Sequence, residues 1–312
     1  MVQQPLFYHR SFDVNIYKIL TDITLEENIK RDELLSRHTT FKTGGAADFF
    51  VSPHTMENVA GLIAQLEDNK ISYYVLGNGS NVLAPDEGFR GVIVYIGEKL
   101  SDIKVHNDVC VTAGAGAMLG ATARVAAANS LTGMETLAGI PGSVGGGVYM
   151  NAGAYGGEVK DVILSAKVCD KSGNIITLQR DEMDLSYRHS IMEEKGYTVL
   201  EATFKLEIGD KEDIKNKIME LAIKRKEKQP LEYPSAGSTF KRPEGHFAGK
   251  LIMDAGLSGF SVGGACVSPK HCGFVVNTGG ATSDDIKHLM DEVSRMVFDK
   301  YKVKLEPEVR IL

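Results

Sequence analysis

Gly139-Ile140-Pro141-Gly142-Ser143-Val144-Gly145-Gly146-Gly147, followed by Asn151-Ala152-Gly153-Ala154-Tyr155-Gly156-Gly157-Glu158, is the stretch on which the reading of this chain turns. So many glycines in one segment cost backbone entropy, which a fold accepts where the chain bends sharply or lies against a ligand. Close packing of backbone against a helix is the plainer alternative, and the residues alone leave both open. Nucleotide-binding loops of known mechanism do not match. There is no G-x-x-x-x-G-K-[ST]; Gly77-x-Gly79 is followed by Val82, and Gly114-x-Gly116 by Leu119, where a third glycine would complete G-x-G-x-x-G. A P-loop kinase and a standard Rossmann domain are thereby excluded.

Upstream, residues 47–51 read as a short strand. Residues 55–68 carry Val59, Leu62, Ile63 and Leu66 at helical spacing, with Thr55 as N-cap after Pro53. A β-rich run over 71–76 then ends in Leu76-Gly77-Asn78-Gly79-Ser80-Asn81. Such a loop can point several backbone N–H groups at a phosphate. Asn-Gly is equally the common hairpin turn, so cradle and turn both stand. Further strands are expected over 91–96, 109–113, 162–169, 174–178 and 197–206, and a helix over 118–129. Together these give an α+β fold with a partly antiparallel sheet. The first 35 residues mix acidic and basic side chains and read as a peripheral arm of polar helical segments. A composition shift over 208–213 marks the last boundary, beyond which Ile286, Leu289, Met290, Val293 and Val297 share one helix face opened by Thr282. Three units follow: 1–100 with the arm, 101–210, and 211–312.

The 41 Asp and Glu against 35 Lys and Arg give a net charge of −6, which argues against nucleic acid or an anionic membrane as partner. The basic run 224–228 follows a helical pattern and reads as the solvated end of a helix. No apolar run approaches the roughly 20 residues of a membrane span. Four scattered cysteines without C-x-x-C, and an N-terminus without a signal-peptide pattern, suggest a reduced cytoplasmic protein.

Three polar residues stand in distinctive contexts: Arg188 in Tyr187-Arg188-His189-Ser190, Ser238 in Ala236-Gly237-Ser238-Thr239-Phe240, and Glu308 in Leu305-Glu306-Pro307-Glu308-Val309-Arg310. Each has a duller account, as surface ion-pair partner, loop hydroxyl and exposed strand residue. No G-x-S-x-G supplies a nucleophile. Cys266, His271 and Cys272 match no structural zinc spacing, so no metal is expected.

Taken in order, these motifs resemble the UDP-N-acetylenolpyruvoylglucosamine reductase family. Its further signatures here are Phe41-Lys42-Thr43-Gly44-Gly45-Ala46, Ala255-Gly256-Leu257 and His271-Cys272-Gly273-Phe274-Val275-Val276-Asn277. The likeness spans residues 38–312, departs mildly at Gly147 and Cys272 where alanine is expected, and is to the shorter, type II form. It implies an FAD-binding fold of the vanillyl-alcohol-oxidase (PCMH) type in two subdomains, with a C-terminal α+β domain over a nucleotide-sugar substrate. It further implies that NADPH reduces FAD and that UDP-N-acetylglucosamine enolpyruvate is then reduced to UDP-N-acetylmuramate for the cell wall.

By the same resemblance Arg188 and Glu308 stabilise the enolic intermediate, with the Glu308 pKa raised, and Ser238 is the proton donor. Leu76, Gly77, Asn78, Gly79, Ser80 and Asn81 would hold FAD, along with Ile140, Pro141, Gly142, Val144, Gly145, Gly146, Asn151, Ala152 and Gly153. Tyr155, Lys228, Arg242 and Arg310 are the candidates for substrate, the cations because a net-acidic protein needs local positive charge for a diphosphate. A monomer is expected.

Overall fold

The computed structural model describes residues 6–312 apart from position 108. The first elements are α1 (Leu6–Ile23), β1 (Ile29–Leu34), β2 (Ala46–Val51), α2 (Met56–Asp68), β3 (Tyr73–Leu76), β4 (Val82–Leu83) and β5 (Phe89–Tyr95). Four of the strands form a sheet in the order β1-β2-β5-β3, with β1 antiparallel to β2 and the rest parallel. The α2 pattern puts Val59, Leu62, Ile63 and Leu66 inside, and Thr55 caps the helix by accepting from the Asn58 N–H at 3.1 Å.

The expected peripheral arm is corrected here, its residues 1–5 lying outside the described residues. Ile16 and Leu20 of α1 are buried in one cluster with Phe49, Leu62, Leu66 and Val92, and β1 is an edge strand of the sheet. An edge strand with mostly exposed side chains keeps a polar sequence, which is why 29–34 did not read as a strand.

Next come β6 (Ile103–His106), β7 (Cys110–Gly114), α3 (Leu119–Ala128), β8 (Leu131–Thr132), α4 (Val144–Tyr149), β9 (Gly153–Ala154) and β10 (Gly157–Glu158). They are followed by β11 (Ile163–Cys169), β12 (Ile175–Gln179), α5 (Ile191–Lys195), β13 (Thr198–Lys205) and β14 (Glu207–Ile208). A five-stranded antiparallel sheet runs β12-β11-β13-β7-β6. Leu119, Val144, Val148, Ala202 and Phe204 join α3, α4 and this sheet in one core.

Helix α6 (Lys211–Lys228) packs on α3 and β8 through buried Ile214 and Leu221, so it accompanies the second sheet although it follows the boundary expected at 211. The last part holds α7 (Ala248–Asp254), β15 (Ser261–Val262), β16 (Ala265–Val267), β17 (Val275–Asn277), α8 (Ser283–Tyr301) and β18 (Arg310–Ile311). The five apolar residues expected on one face of α8 are all buried, and Thr282 and Asp285 form a capping box at its start. Strand β18 returns to the first unit and pairs in parallel with β4. That return brings the chain's last residues beside the 77–81 loop.

Candidate active site

The hairpin reading of 77–81 fails, because β3 pairs with β5 while β4 pairs with β18. Gly79 lies at φ 60°, and a Cβ there would stand 2.0 Å from the His38 carbonyl, so both conformation and space demand glycine. Among the described residues, no protein acceptor takes the backbone N–H groups of Asn78, Gly79, Ser80 and Asn81. A run of unclaimed N–H groups on a glycine loop can cradle an anion. The loop faces the glycine-rich segment: Asn78 Nδ2 donates to the Pro141 carbonyl at 2.6 Å, and a Cβ on Gly77 would meet Ser143 Oγ at 2.4 Å.

Close packing of backbone accounts for some glycines of the glycine-rich segment and not for others. Ser143 caps the short α4 by accepting from the Gly146 N–H at 3.4 Å. A Cβ on Gly145 would lie 2.9 Å from Ala115 Cβ, and one on Gly147 would lie 2.7 Å from Leu119 Cδ1, so these two pack backbone onto the second sheet and α3. Gly142 and Gly146 meet nothing nearer than 3.6 Å and are open to a ligand. The expectation that Val144 and Asn151 line a cofactor is corrected, since both are 0% exposed. Asn151 is committed internally: its Nδ2 donates to Glu158 Oε2 at 3.0 Å and to the Ser186 carbonyl at 2.9 Å, and its Oδ1 accepts from the Lys160 N–H at 2.9 Å. Leu76 and Ala152 are likewise buried, behind the residues that face outward.

Five expected residues meet in one cleft of about 850 Å³: Arg188, Ser238, Glu308, Tyr155 and Arg242, with Gly153 beside them. Arg188 Nε donates to Glu308 Oε1 at 2.6 Å, and its Nη2 donates to the Gly153 carbonyl at 3.2 Å. Arg188 is neither a surface ion-pair partner nor in an ordinary conformation. Its side chain is 15% exposed, that of Glu308 is 9% exposed, and its φ is 53° in a tight turn closed by Ser186 and His189. Burial pushes the Glu308 carboxyl above the ordinary glutamate range, and the neighbouring Arg188 opposes this without reversing it. Ser238 is exposed at the cleft, its hydroxyl bonded to no other described residue. The backbone around it is fixed by the Thr239 N–H on the Gly273 carbonyl at 2.8 Å.

Two expected cations stand elsewhere. Lys228 is exposed at the end of α6, outside the cleft lining. Arg310 makes a bidentate pair with Glu193 at 2.8 and 2.7 Å and lies over the Tyr149 ring, also outside the lining. A residue missed in the sequence is Arg225, hidden in a basic run read as solvated. It is half-buried, has no carboxylate partner among the described residues, and presses on Gly139, where a Cβ would lie 2.9 Å from its Nη1. Phe247 was missed too; it is 61% exposed on the cleft wall with the Arg242 guanidinium 4.7 Å over its ring. Asp184, His189 and Glu194 gather on the surface as an ion-pair cluster, with His189 Nε2 3.1 Å from Asp184 and 3.6 Å from Glu194. Among the described residues no helix is long and apolar enough to cross a membrane.

Residues 47–179 match the FAD binding domain model, and residues 229–312 match that of the UDP-N-acetylenolpyruvoylglucosamine reductase C-terminal domain. The fold is shared at TM-score 0.50 with a glucose dehydrogenase, at 14% identity over 63% of this chain and 44% of that one. Fold, cradle and cleft thus define an FAD-dependent oxidoreductase of the vanillyl-alcohol-oxidase type. The UDP-N-acetylenolpyruvoylglucosamine reductase of Lachnoclostridium phytofermentans is 54% identical over 300 residues, covering 95% of this chain and 97% of that protein. That of Agathobacter rectalis is 52% identical over 306 residues, with the same coverage. The crystal structure of the Thermus caldophilus enzyme matches at TM-score 0.77 and 33% identity, over 91% of this chain and 98% of that one. The chain belongs to the UDP-N-acetylenolpyruvoylglucosamine reductase family.

Proposed function

We propose that this chain reduces UDP-N-acetylglucosamine enolpyruvate to UDP-N-acetylmuramate at the expense of NADPH, in the cytoplasm and as a monomer. The observation that carries the reading is the meeting of Arg188, Glu308 and Ser238, far apart in sequence, in one cleft beside the glycine-rich wall. The 77–81 loop would take the FAD pyrophosphate on its free N–H groups, and Gly142 and Gly146 would let the cofactor approach the backbone. FAD held there would supply two-electron hydride chemistry between NADPH and the terminal carbon of the enolpyruvyl ether.

The protein's part is to hold charge and deliver a proton. Hydride addition leaves negative charge on the adjacent carbon and the attached carboxylate. Arg188, fixed by Glu308 and the Gly153 carbonyl, is a preorganised donor for that charge. A Glu308 carboxyl with a raised pKa can sit beside a substrate carboxylate in its protonated form and donate to it. Ser238 then gives its proton to the carbanionic carbon, completing addition of H⁻ and H⁺ across the double bond, and regains a proton from solvent. Arg242 on the cleft wall is the cation we assign to the diphosphate.

Ser238→Ala tests the assignment in two half-reactions followed by flavin absorbance. NADPH should bleach the variant at the wild-type rate, and the enolpyruvyl substrate should fail to restore the oxidised spectrum. Restoration at the wild-type rate would remove Ser238 from the proton step.

A further inference from the structure

Glu308 is held through three different polar groups that reach three different parts of the chain. Its carboxylate takes Arg188 beside the second sheet. Its N–H donates to the Thr239 carbonyl at 2.8 Å, next to Ser238, within a short stretch that also has the Phe240–Pro307 bridge and the Lys241 N–H on the Glu306 carbonyl. Its carbonyl accepts from Asn81 Nδ2 at 3.0 Å, and Asn81 returns its own carbonyl to the Arg310 N–H at 3.0 Å. The Asn81 side chain therefore points at the active-site carboxylate's backbone, while its N–H remains free on the cradle side of the same loop.

We propose that Asn81 is a positioning residue for Glu308, and that the 77–81 loop thereby couples cofactor binding to placement of the carboxyl that faces the substrate. The loop has two outputs. Its N–H groups are free to take an anion, and of its two amide side chains Asn78 holds the Pro141 carbonyl while Asn81 is turned to the returning chain end beside β18. A side chain serving only the cofactor would have no reason to bond residue 308. A side chain serving only the fold would be redundant, because β4 and β18 are already joined by the Arg310 and Leu312 N–H groups on the Asn81 and Leu83 carbonyls. What the Nδ2 donor adds is restraint of the Glu308 peptide itself, alongside the Thr239 contact, which fixes the backbone from which the carboxyl reaches Arg188.

The inference rests on the reaction proposed above, so its test separates the two. In the flavin-loaded protein, N81L keeps apolar bulk without the donor and N81Q keeps an amide; N81A replaces N81L should that variant not fold. With the backbone N–H groups of the loop kept, N81L should slow reduction by NADPH less than it slows reoxidation. Its reoxidation by the enolpyruvyl substrate should slow about tenfold, the scale of one well-placed hydrogen bond. N81Q should recover part of that loss. Backbone hydrogen exchange over residues 306–312 should quicken in N81L. Loss of FAD, equal slowing of both half-reactions, or unchanged exchange and reoxidation would overturn the proposal. If wild type is not reoxidised by that substrate, the proposed reaction falls, and the exchange comparison still decides the Asn81–Glu308 link.

Discussion

Glu308 is a cleft carboxyl whose burial works against its charge. The pair with Arg188 joins residues 120 positions apart, so no reading of local sequence could find it. What sequence did offer was the identity of both residues through their motifs, and the need for a raised pKa through the substrate's own carboxylate. The sign of the pH effect follows from that shift. The folded state holds the Glu308 proton more tightly than the unfolded chain, so between the ordinary glutamate pKa and the raised folded value it binds more protons. The stability contributed by Glu308 is therefore fully present below the unfolded pKa and is lost as pH rises through the folded one. Unfolding of wild type and Glu308→Gln across pH should show their stability difference moving against wild type as pH rises through this window. A constant difference would mean that burial does not govern this carboxyl.

At the scale of elements, amphipathic helices were legible and glycine-rich ones were not. The α2 and α8 faces follow from apolar spacing and from Thr55 and Thr282 as caps, because those signals are local. Helix α4 has three glycines in six residues and low intrinsic helix preference, so only tertiary packing on Ala115 and Leu119 reveals it. Asn151 was misjudged for a related reason, since its bonds to Glu158, Lys160 and Ser186 are made by folding the segment back on itself. The cradle loop allows a direct check. Gly79→Ala would place a methyl group against the His38 carbonyl at a positive φ, so it should lower stability by more than about 1 kcal/mol and reduce FAD occupancy. Thermal unfolding with a flavin-to-protein ratio measures both. Wild-type values for both would show that the loop does not need glycine there.

For the whole molecule, the cleft exists because the chain end comes home. Strand β18 pairs with β4 of the first unit, Asn277 Nδ2 reaches the Phe41 carbonyl at 3.0 Å, and the start of α8 is held by Asp86 through the Ser283 and Asp284 N–H groups. These docking contacts bring Ser238 and Glu308 over the wall built by residues 153–161 and beside Arg188. Strands of two or three residues leave too little periodicity to be read from sequence, so the return of the chain was implied only by resemblance. The cations divide along the same line. Arg242 lines the cleft, Lys228 and Arg310 lie outside its lining, and Arg225 is half-buried against Gly139 on a helix that packs on α3 and β8.

The most direct test of the account is NADPH consumption by the purified, flavin-loaded protein, with and without UDP-N-acetylglucosamine enolpyruvate. The account predicts sustained oxidation of NADPH only when that substrate is present, with one UDP-N-acetylmuramate formed for each NADPH consumed. NADPH oxidation indifferent to the enolpyruvyl sugar nucleotide, or no oxidation with both present, would contradict it.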